Sequence, residues 1–405
     1  MLRSLLSLGI GMRAVVALGV AIAALSTDVY VRSANRVIHA AVDMAVWPAK
    51  LAASPISGAQ TKLPSFSVVA QGHIPMPEHT PAAHASTLVA MPASSAAALL
   101  AFWFAGQHES AADVQIAFSW FDRAGQRWQP ARLVVNKAAM GERLGFGLLR
   151  LGNPVAWRDA QGRIHLFVVA TGLGGWAAGR VLHLQQSDDA ALDAHALDTM
   201  TFAPVRVLPL SWLWNISHLV RGAPLPLADG GMVLPLYFEM GVKYPVLARF
   251  GPAGEYLGLR RISSRGDLLQ PTLVMQDETH WLALMRDHSP AHKIAVARSN
   301  NAGLDWQDQA NLSLDNPDAS VAGLGLAPGL MLLAYNPSAN SRETLQLAAS
   351  ADGLTWRNVV SLAQGQAGGE YSYPAMTWAD DSLWVSYTDQ RRRIAWQRLQ
   401  IGSAP

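Results

Sequence analysis

The chain has 405 residues, of which 50% are hydrophobic and 15% are charged, so we expect a large buried core and not a disordered protein. Its 31 basic and 29 acidic side chains nearly cancel, which argues against the broad basic surface that nucleic-acid binding requires. The lack of cysteine excludes disulfides, thiolate metal sites, a cysteine nucleophile and a lipid-modified cysteine.

The first 25 residues have the pattern of an export signal. Arg3 and Arg13 come before an uninterrupted apolar run from Ala14 to Leu25, which is short for a membrane span. We expect residues 1–25 to be a signal peptide or a retained anchor, with membrane attachment through residues 5–25 in the second case. The protein would then be exported and be periplasmic, secreted or held at the inner membrane. A buried N-terminal helix is the alternative.

Residues 26–70 lack strand alternation and contain a second mildly apolar stretch, 37–53, which Pro48 interrupts. This composition predicts a linker with a short helical segment. Pro75 and Pro77 then mark the irregular start of a β domain, which we place at residues 71–402.

The predicted β domain repeats a unit of two apolar strands. Six pairs of runs are found, at 98–104 with 114–118, 164–169 with 181–184, 232–238 with 245–250, 281–285 with 294–297, 331–335 with 345–348, and 383–387 with 394–399. The later pairs recur about every 50 residues, a period that indicates a propeller. The pattern therefore predicts an all-β fold, a six-bladed β-propeller. A β-sandwich or two small β domains would also supply regular strands and remain alternatives.

Two segments carry a more specific turn motif. Residues 299–306 fit the pattern Ser-x-Asp-x-Gly-x-Thr-Trp, with Asn301 and Asp305 in the Asp and Thr positions, and residues 350–356 are a shorter copy. A looser third candidate runs from Ser119 to Trp128. In such a box Asp or Asn accepts backbone N–H groups, Gly adopts positive φ and Trp covers the turn, so the motif is structural.

With these boxes the sequence resembles the sialidase (neuraminidase) superfamily, in particular the bacterial predicted neuraminidases with BNR repeats. The resemblance spans about residues 79–399. It implies a six-bladed propeller of the sialidase type, with a sugar-binding site on the axis of the blades.

The resemblance also implies roles for individual residues. Arg286 and Arg342, each ahead of a box, correspond to two of the arginines that hold the sugar carboxylate, for which the guanidinium fork is suited. Tyr371, in Glu370-Tyr371-Ser372-Tyr373, corresponds to the nucleophile, with Tyr373 as the second candidate. A phenol suits this role because the anomeric carbon of sialic acid bears a carboxylate that repels an anionic nucleophile.

The general acid is expected in the loop of residues 106–114, where Glu109 and Asp113 are the candidates. Either carboxylate could instead cap the loop. Glu239 ends an apolar strand, and we expect its side chain to point to the axial pocket together with Tyr237.

Two positions depart from the family pattern. His84 stands where the family has its first arginine, and Gln270 stands at the best counterpart of the glutamate that activates the tyrosine. Glutamine cannot serve as a base. Glu370 or Glu239 would have to take that role.

These residues lead to one main hypothesis and two alternatives. The main hypothesis is an exported glycoside hydrolase that cleaves an acidic sugar from a polysaccharide or glycoconjugate. A propeller that binds glycans without cleaving them, or a polysaccharide lyase on the same scaffold, are the alternatives. We expect no cofactor, no metal and no nucleic-acid partner.

Overall fold

The computed structural model of the protein describes residues 9–33, 54–57, 63–172, 174–187, 193–211 and 214–402. The apolar N-terminal segment forms helix α1 (Ile10–Ser33). Within it, Ile10–Thr27 has the length and mean hydropathy, 1.8, of a helix that can cross a membrane, and none of this stretch is buried. The helix extends past residue 25, and the second apolar stretch, 37–53, lies outside the described residues.

The rest of the described chain forms six antiparallel sheets of four or five strands, which are the six blades of a propeller. Blades 1 to 3 contain, in chain order, β2 (Ala82–Ala90), β3 (Ala97–Gly106), β4 (Gln115–Asp122), β5 (Arg127–Trp128) and β6 (Arg132–Leu133); β7 (Arg150–Arg158), β8 (Ile164–Thr171), β9 (Arg180–Gln186) and β10 (Phe202–Val207); and β11 (His218–Val220), β12 (Leu225–Pro226), β13 (Met232–Phe238), β14 (Tyr244–Phe250) and β15 (Tyr256–Arg261).

Blades 4 to 6 follow the same order. They contain β16 (Leu268–Met275), β17 (Trp281–Asp287), β18 (Ile294–Ser299) and β19 (Gln307–Gln309); β20 (Ala322–Ala327), β21 (Leu330–Tyr335), β22 (Thr344–Ser350) and β23 (Arg357–Gln364); and β24 (Tyr371–Ala379), β25 (Ser382–Asp389) and β26 (Arg393–Gly402), together with β1 (Ser65–His73). Short helices α2 (Lys137–Leu144) and α3 (Ala194–Thr199) and a 3₁₀ helix (Gly175–Ala178) lie in the connections of blades 1 and 2.

The N-terminal strand closes the ring. β1 pairs antiparallel with β26, so that Ser65 faces Gly402 and β1 is the outermost strand of blade 6. The first strand of blade 1, β2, contacts the first strands of both blade 2 and blade 6. The linker that we predicted to reach residue 70 therefore ends earlier, because the propeller begins at Ser65.

The six predicted strand pairs are the two middle strands of the six blades. These strands are buried on both faces because each blade packs between two others, and β3 and β8 have no exposed position at all. Strands of this kind read as continuous apolar runs, which is why the sequence revealed them. The prediction of a six-bladed propeller is confirmed, and the sandwich alternative is wrong.

The two predicted boxes form the turns between the third and fourth strands of blades 4 and 5. In the second box, the carboxylate of Asp352 accepts the N–H groups of Leu354 and Thr355 at 2.8 and 2.7 Å, and the indole of Trp356 donates to the Gly353 carbonyl at 3.0 Å. The turn at Asp122 occupies the same place in blade 1.

The first strand of each blade runs along the axis and is distorted near its start. Each blade has a non-glycine residue with positive φ near this point, namely Ala85, Asn153, Ser217, Gln270, Asp318 and Tyr373. In blades 1, 2, 4 and 6 the residue coincides with a β-bulge that shifts the register against the second strand. Bulges redirect side chains, and here they aim polar groups into one mouth of the axial channel.

Candidate active site

A cluster of hydroxyl, amide and guanidinium groups lies on the axis at the mouth where the first strands begin. The amide Nε2 of Gln270 donates to the phenolic oxygens of Tyr373 and Tyr237, at 3.2 and 3.4 Å. Nη1 of Arg286 lies 3.4 Å from both the Tyr373 oxygen and Oε1 of Gln270. Residues from blades 3, 4 and 6 therefore meet in one axial cup, as a site built from blade ends requires.

Arg286 is held in this cup by a carboxylate from blade 5. Its Nε donates to Oδ1 of Asp318 at 2.5 Å, and the other oxygen of Asp318 lies 2.8 Å from Nδ1 of His288. Burial alone would lower the pKa of Arg286, but the hydrogen bond and the charge of Asp318 outweigh it and raise the pKa. Arg286 is therefore a permanent cation with a fixed orientation.

A second set of charges lies between blades 5, 6 and 1. The carboxylate of Glu370 accepts from Nη1 of Arg342 at 3.2 Å and from Nε and Nη2 of Arg391 at 2.6 and 3.1 Å. Arg391 also pairs with Glu109, which reaches it from blade 1. Arg342 is linked to the first cluster, because its Nη2 donates to the backbone carbonyl of Asp318 at 2.8 Å.

His84 lies beside Tyr373, with the ring centroids 4.1 Å apart. It is almost fully buried, and burial together with the charges of Arg391, Arg221 and Arg342 holds its pKa well below the usual value. His84 is therefore neutral and does not replace the positive charge of the family arginine. Among the neighbouring cations, Arg391 has the largest effect on the pKa of His84.

Glu239 follows β13 directly and is half-buried at the rim of the cup. Burial raises the pKa of its carboxyl group, although the charges of Arg286, Lys243 and His288 act in the opposite direction. Tyr237, two residues before it, is buried, and burial followed by the negative charge of Glu239 raises the pKa of its phenol. Both predicted residues thus lie at the axial site, Tyr237 beneath the exposed surface of the cup and Glu239 at its edge.

Three sequence-based assignments need correction. The ring of Tyr371 packs against Tyr387 between blades 5 and 6, with the centroids 6.2 Å apart, and Tyr373 is the tyrosine in the cup. Tyr373 and not Tyr371 reaches the cup because the backbone is distorted at the bulge, where Tyr373 has a φ of 54°.

Asp113 and Glu370 also act differently from the prediction. The carboxylate of Asp113 accepts the backbone N–H of Gln107 at 3.0 Å and caps its own loop, which is the alternative role expected for it. The carboxylate of Glu370 is engaged by two arginines and by the hydroxyl of Ser372 at 2.7 Å, so it is not available as the base for a tyrosine.

The site also contains residues that the sequence-based reasoning missed, namely Arg221, His288, Asp318 and Arg391. Arg391 lies in the hairpin turn that joins β25 to β26. A signal for the correct tyrosine was present: Gln270-Pro271 and Tyr373-Pro374 share an X-Pro pair at the bulge of the first strand.

The opposite mouth of the channel has a different character. A cavity of about 350 Å³ opens there, lined mainly by apolar side chains such as Leu88, Leu225 and Met376, and Pro55 from the segment before β1 also lines it. In the described part of the chain, Arg158 is the only charged group of this lining. The polar cup, and not this apolar cavity, is therefore the candidate active site.

Comparison with known proteins identifies the family of this chain. The BNR repeat-like domain family matches residues 97–385, which is more than half of the chain. A search of curated proteins finds no match.

Solved structures with the same fold include three informative examples. The Hadza microbial sialidase Hz136 is 17% identical with a TM-score of 0.64, and the match covers 80% of this chain and 66% of that one. A protein of unknown function from Dyadobacter fermentans is 14% identical with a TM-score of 0.62, over 84% and 100% of the two chains. The Trypanosoma rangeli sialidase, also solved in complex with sialic acid, is 13% identical with a TM-score of 0.61, over 83% and 60% of the chains.

The chain thus spans less than two thirds of the length of the two sialidases, and identities this low establish the fold alone. It belongs to the BNR repeat-like family and has the six-bladed propeller of the sialidase type.

Proposed function

We propose that the protein is a glycoside hydrolase of sialidase type that acts on a carboxylate-bearing sugar. Four guanidinium groups (Arg221, Arg286, Arg342 and Arg391) and four carboxyl groups (Glu109, Glu239, Asp318 and Glu370) surround the cup. Because burial favours the neutral form of Glu239, the balance of charge favours an anionic ligand.

Three arginines are proposed to hold the sugar carboxylate. Arg286, Arg342 and Arg391 come from blades 4, 5 and 6, and Arg391 supplies the cation that is missing at His84. Each guanidinium has five N–H donors in a rigid fork, and the contacts with Asp318 and Glu370 use only part of them. The remaining donors are the ones that a ligand carboxylate would use.

Tyr373 is proposed as the nucleophile and Glu239 as the proton donor. The phenol passes its proton to water and its oxygen attacks the anomeric carbon while the bond to the leaving oxygen breaks, and the carboxyl group of Glu239 gives its proton to that leaving oxygen. Glu239 suits this role better than Glu109 because its pKa is raised by burial, whereas Glu109 is paired with Arg391.

The observation that carries the proposal is the contact of the Tyr373 phenol with Gln270 and Arg286 on the axis. Its test is hydrolysis of a panel of aryl glycosides of sialic acids, related nonulosonic acids and uronic acids. We expect turnover of at least one acidic glycoside, and a loss on the order of a thousandfold in Tyr373→Phe. Lack of turnover across the panel would refute the proposal.

A propeller that binds an acidic glycan without cleaving it is the second candidate, and Gln270 favours it because an amide cannot take the proton of the phenol. It predicts saturable binding of the same sugars by calorimetry with no product. An unsaturated product absorbing in the ultraviolet would instead indicate a lyase.

Export is proposed from helix α1, which is long and apolar enough to act as a signal or an anchor. Residues 1–33 fused to a reporter that is active only outside the cytoplasm should give activity. Replacing Ala21 and Ala24 in the middle of the apolar run by arginine should abolish it, because charges there oppose insertion. Unchanged reporter activity in that variant would refute the role.

A further inference from the structure

A buried arginine lies directly below the cup. Arg221 follows β11 in blade 3, and only 5% of its surface is exposed. Its Nη1 donates to the carbonyl of Ser86 at 3.2 Å and its Nη2 to the carbonyl of Pro374 at 2.8 Å. These two acceptors belong to the bulges of blades 1 and 6, so the side chain bridges three blades at the axis.

The charge of Arg221 has no counter-ion in the described part of the chain. No carboxylate there pairs with it, and its Nε has no hydrogen-bond partner. By contrast, Arg286, Arg342 and Arg391 each contact a carboxylate. Burying an unpaired cation costs several kcal/mol, and here burial lowers the pKa of Arg221 to about 10. Packing alone gives no reason for a charge at this position.

The groups that act on Arg221 through a negative charge are two phenols. The guanidinium carbon of Arg221 lies 5.3 Å from the centroid of the Tyr373 ring, which is cation–π geometry. Tyr373 and Tyr237 are the groups whose negative charge would favour the protonated form of Arg221. On its other side, the Tyr373 oxygen receives the amide of Gln270 and the guanidinium of Arg286.

We propose that Arg221 is a positioning residue that acts through Tyr373, by stabilising the negative charge of its phenolate and fixing its ring. Together with Gln270 it replaces the glutamate base that the cup lacks. The phenol passes its proton to water, and the phenolate oxygen then forms the bond to the anomeric carbon as the leaving oxygen departs with the proton of Glu239. The kinetic part of this inference rests on the proposed function, whereas the stabilised phenolate does not require a substrate.

The test without substrate is the reactivity of Tyr373 toward an aryl sulfonyl fluoride, which reacts with phenolates and releases fluoride. Tyr371 and Tyr373 lie on the same tryptic peptide, residues 358–391, so Tyr371 is an internal reference. We expect Arg221→Met to lower labelling of Tyr373 relative to Tyr371 on the order of tenfold, and Arg221→Lys, which keeps the charge, to stay close to wild type.

Equal labelling of Tyr373 in wild type and Arg221→Met would overturn the inference. Equal losses in the Met and Lys variants would also overturn it, because they would show that the carbonyl contacts matter and the charge does not. Circular dichroism and thermal unfolding of both variants identify a folding defect.

A second readout separates this inference from the proposed function. If wild type hydrolyses an acidic glycoside, Arg221→Met should lower kcat on the order of tenfold and leave KM close to wild type, since Arg221 does not touch the sugar. A change confined to KM would overturn the inference. A labelling difference without any turnover in wild type would support the inference and refute the hydrolase.

Discussion

The amide nitrogen of Gln270 lies 3.2 Å from the phenolic oxygen of Tyr373, across the axis of the propeller. Blades 4 and 6 are thereby joined by two residues 103 positions apart, each in the positive-φ conformation of a bulge. For the proposed nucleophile Tyr373 this contact has a chemical consequence: the amide of Gln270 cannot accept the proton of the phenol, but it can stabilise the negative charge of the phenolate.

Removal of the Arg391 side chain should weaken ligand binding without unfolding the protein. We expect Arg391→Met to raise the dissociation constant of an acidic sugar on the order of tenfold or more, because charge-assisted bonds to a carboxylate are strong. Isothermal titration calorimetry measures this. Arg392→Met is the matched control, because Arg392 is exposed and lies next to Arg391 on the same turn. Similar effects in both variants would argue against a specific role of Arg391.

The raised pKa of Glu239 predicts a pH-dependent gain in stability when it is replaced. The folded protein favours the neutral carboxyl group of Glu239. Wild type therefore loses stability as the pH rises above the ordinary pKa of glutamate and through the raised pKa of Glu239. Glu239→Gln stays neutral and should have a Tm higher by about 1–3 °C at pH 8 but not at pH 4. The exposed Glu278→Gln serves as control, and a lower Tm at pH 8 in Glu239→Gln would contradict this reading.

A buried chain of side chains in blade 2 should make the protein sensitive to acid. His183 contacts His165 at 2.8 Å, which contacts Asp159 at 3.0 Å, and burial followed by the neighbouring His165 lowers the pKa of His183 to about 2. In the unfolded chain His183 is protonated below about pH 6.5, whereas in the folded protein it stays neutral. Wild type therefore loses stability as the pH falls below 6.5.

His183→Gln removes this titration. Its free energy of unfolding should therefore fall less than that of wild type between pH 7 and pH 5, by about 2 kcal/mol. Urea unfolding at several pH values measures the difference. The titration of His84 contributes equally to the pH dependence of the unfolding free energy in both proteins. Parallel pH profiles would show that His183 does not control acid stability.

The box turn of blade 5 should tolerate no side chain at its glycine. A Cβ at Gly353, where φ is 76°, would lie 2.2 Å from Cδ1 of Leu282. At Gly368, where φ is 82°, a Cβ would meet nothing within 4 Å. Gly368→Ala should cost about 1 kcal/mol from the left-handed backbone, and Gly353→Ala about 1–3 kcal/mol more from the overlap. Equal unfolding free energies of the two variants would contradict the packing role of this turn.

The fold could be predicted because its signals are local and repeated. Strands such as β3 and β8 are buried on both faces and read as apolar runs, and the boxes at Asn301 and Asp352 mark the turns between them. The contribution of β1 was missed because its pattern is weak: of its residues, only Phe66 is buried.

The site could be predicted only in part, because its geometry depends on backbone distortions and on ring closure. Tyr371 and Tyr373 are two residues apart on β24, and only the positive φ at Tyr373 directs that ring to the axis. Arg391 meets Glu109, 282 positions away, because β1 and the last blade close the ring against blade 1. The Tyr373-Pro374 pair is a local sign of the first relationship, whereas no local pattern encodes the contact between Arg391 and Glu109.

The most direct test of the account is to trap the covalent intermediate on Tyr373 with a fluorinated acidic sugar that forms the glycosyl-enzyme rapidly and releases it slowly. Fragmentation of the tryptic peptide 358–391 then locates the added mass. The account predicts an adduct on Tyr373 in wild type and in Tyr371→Phe, and none in Tyr373→Phe. An adduct on Tyr371, or hydrolysis by Tyr373→Phe at the wild-type rate, would contradict it.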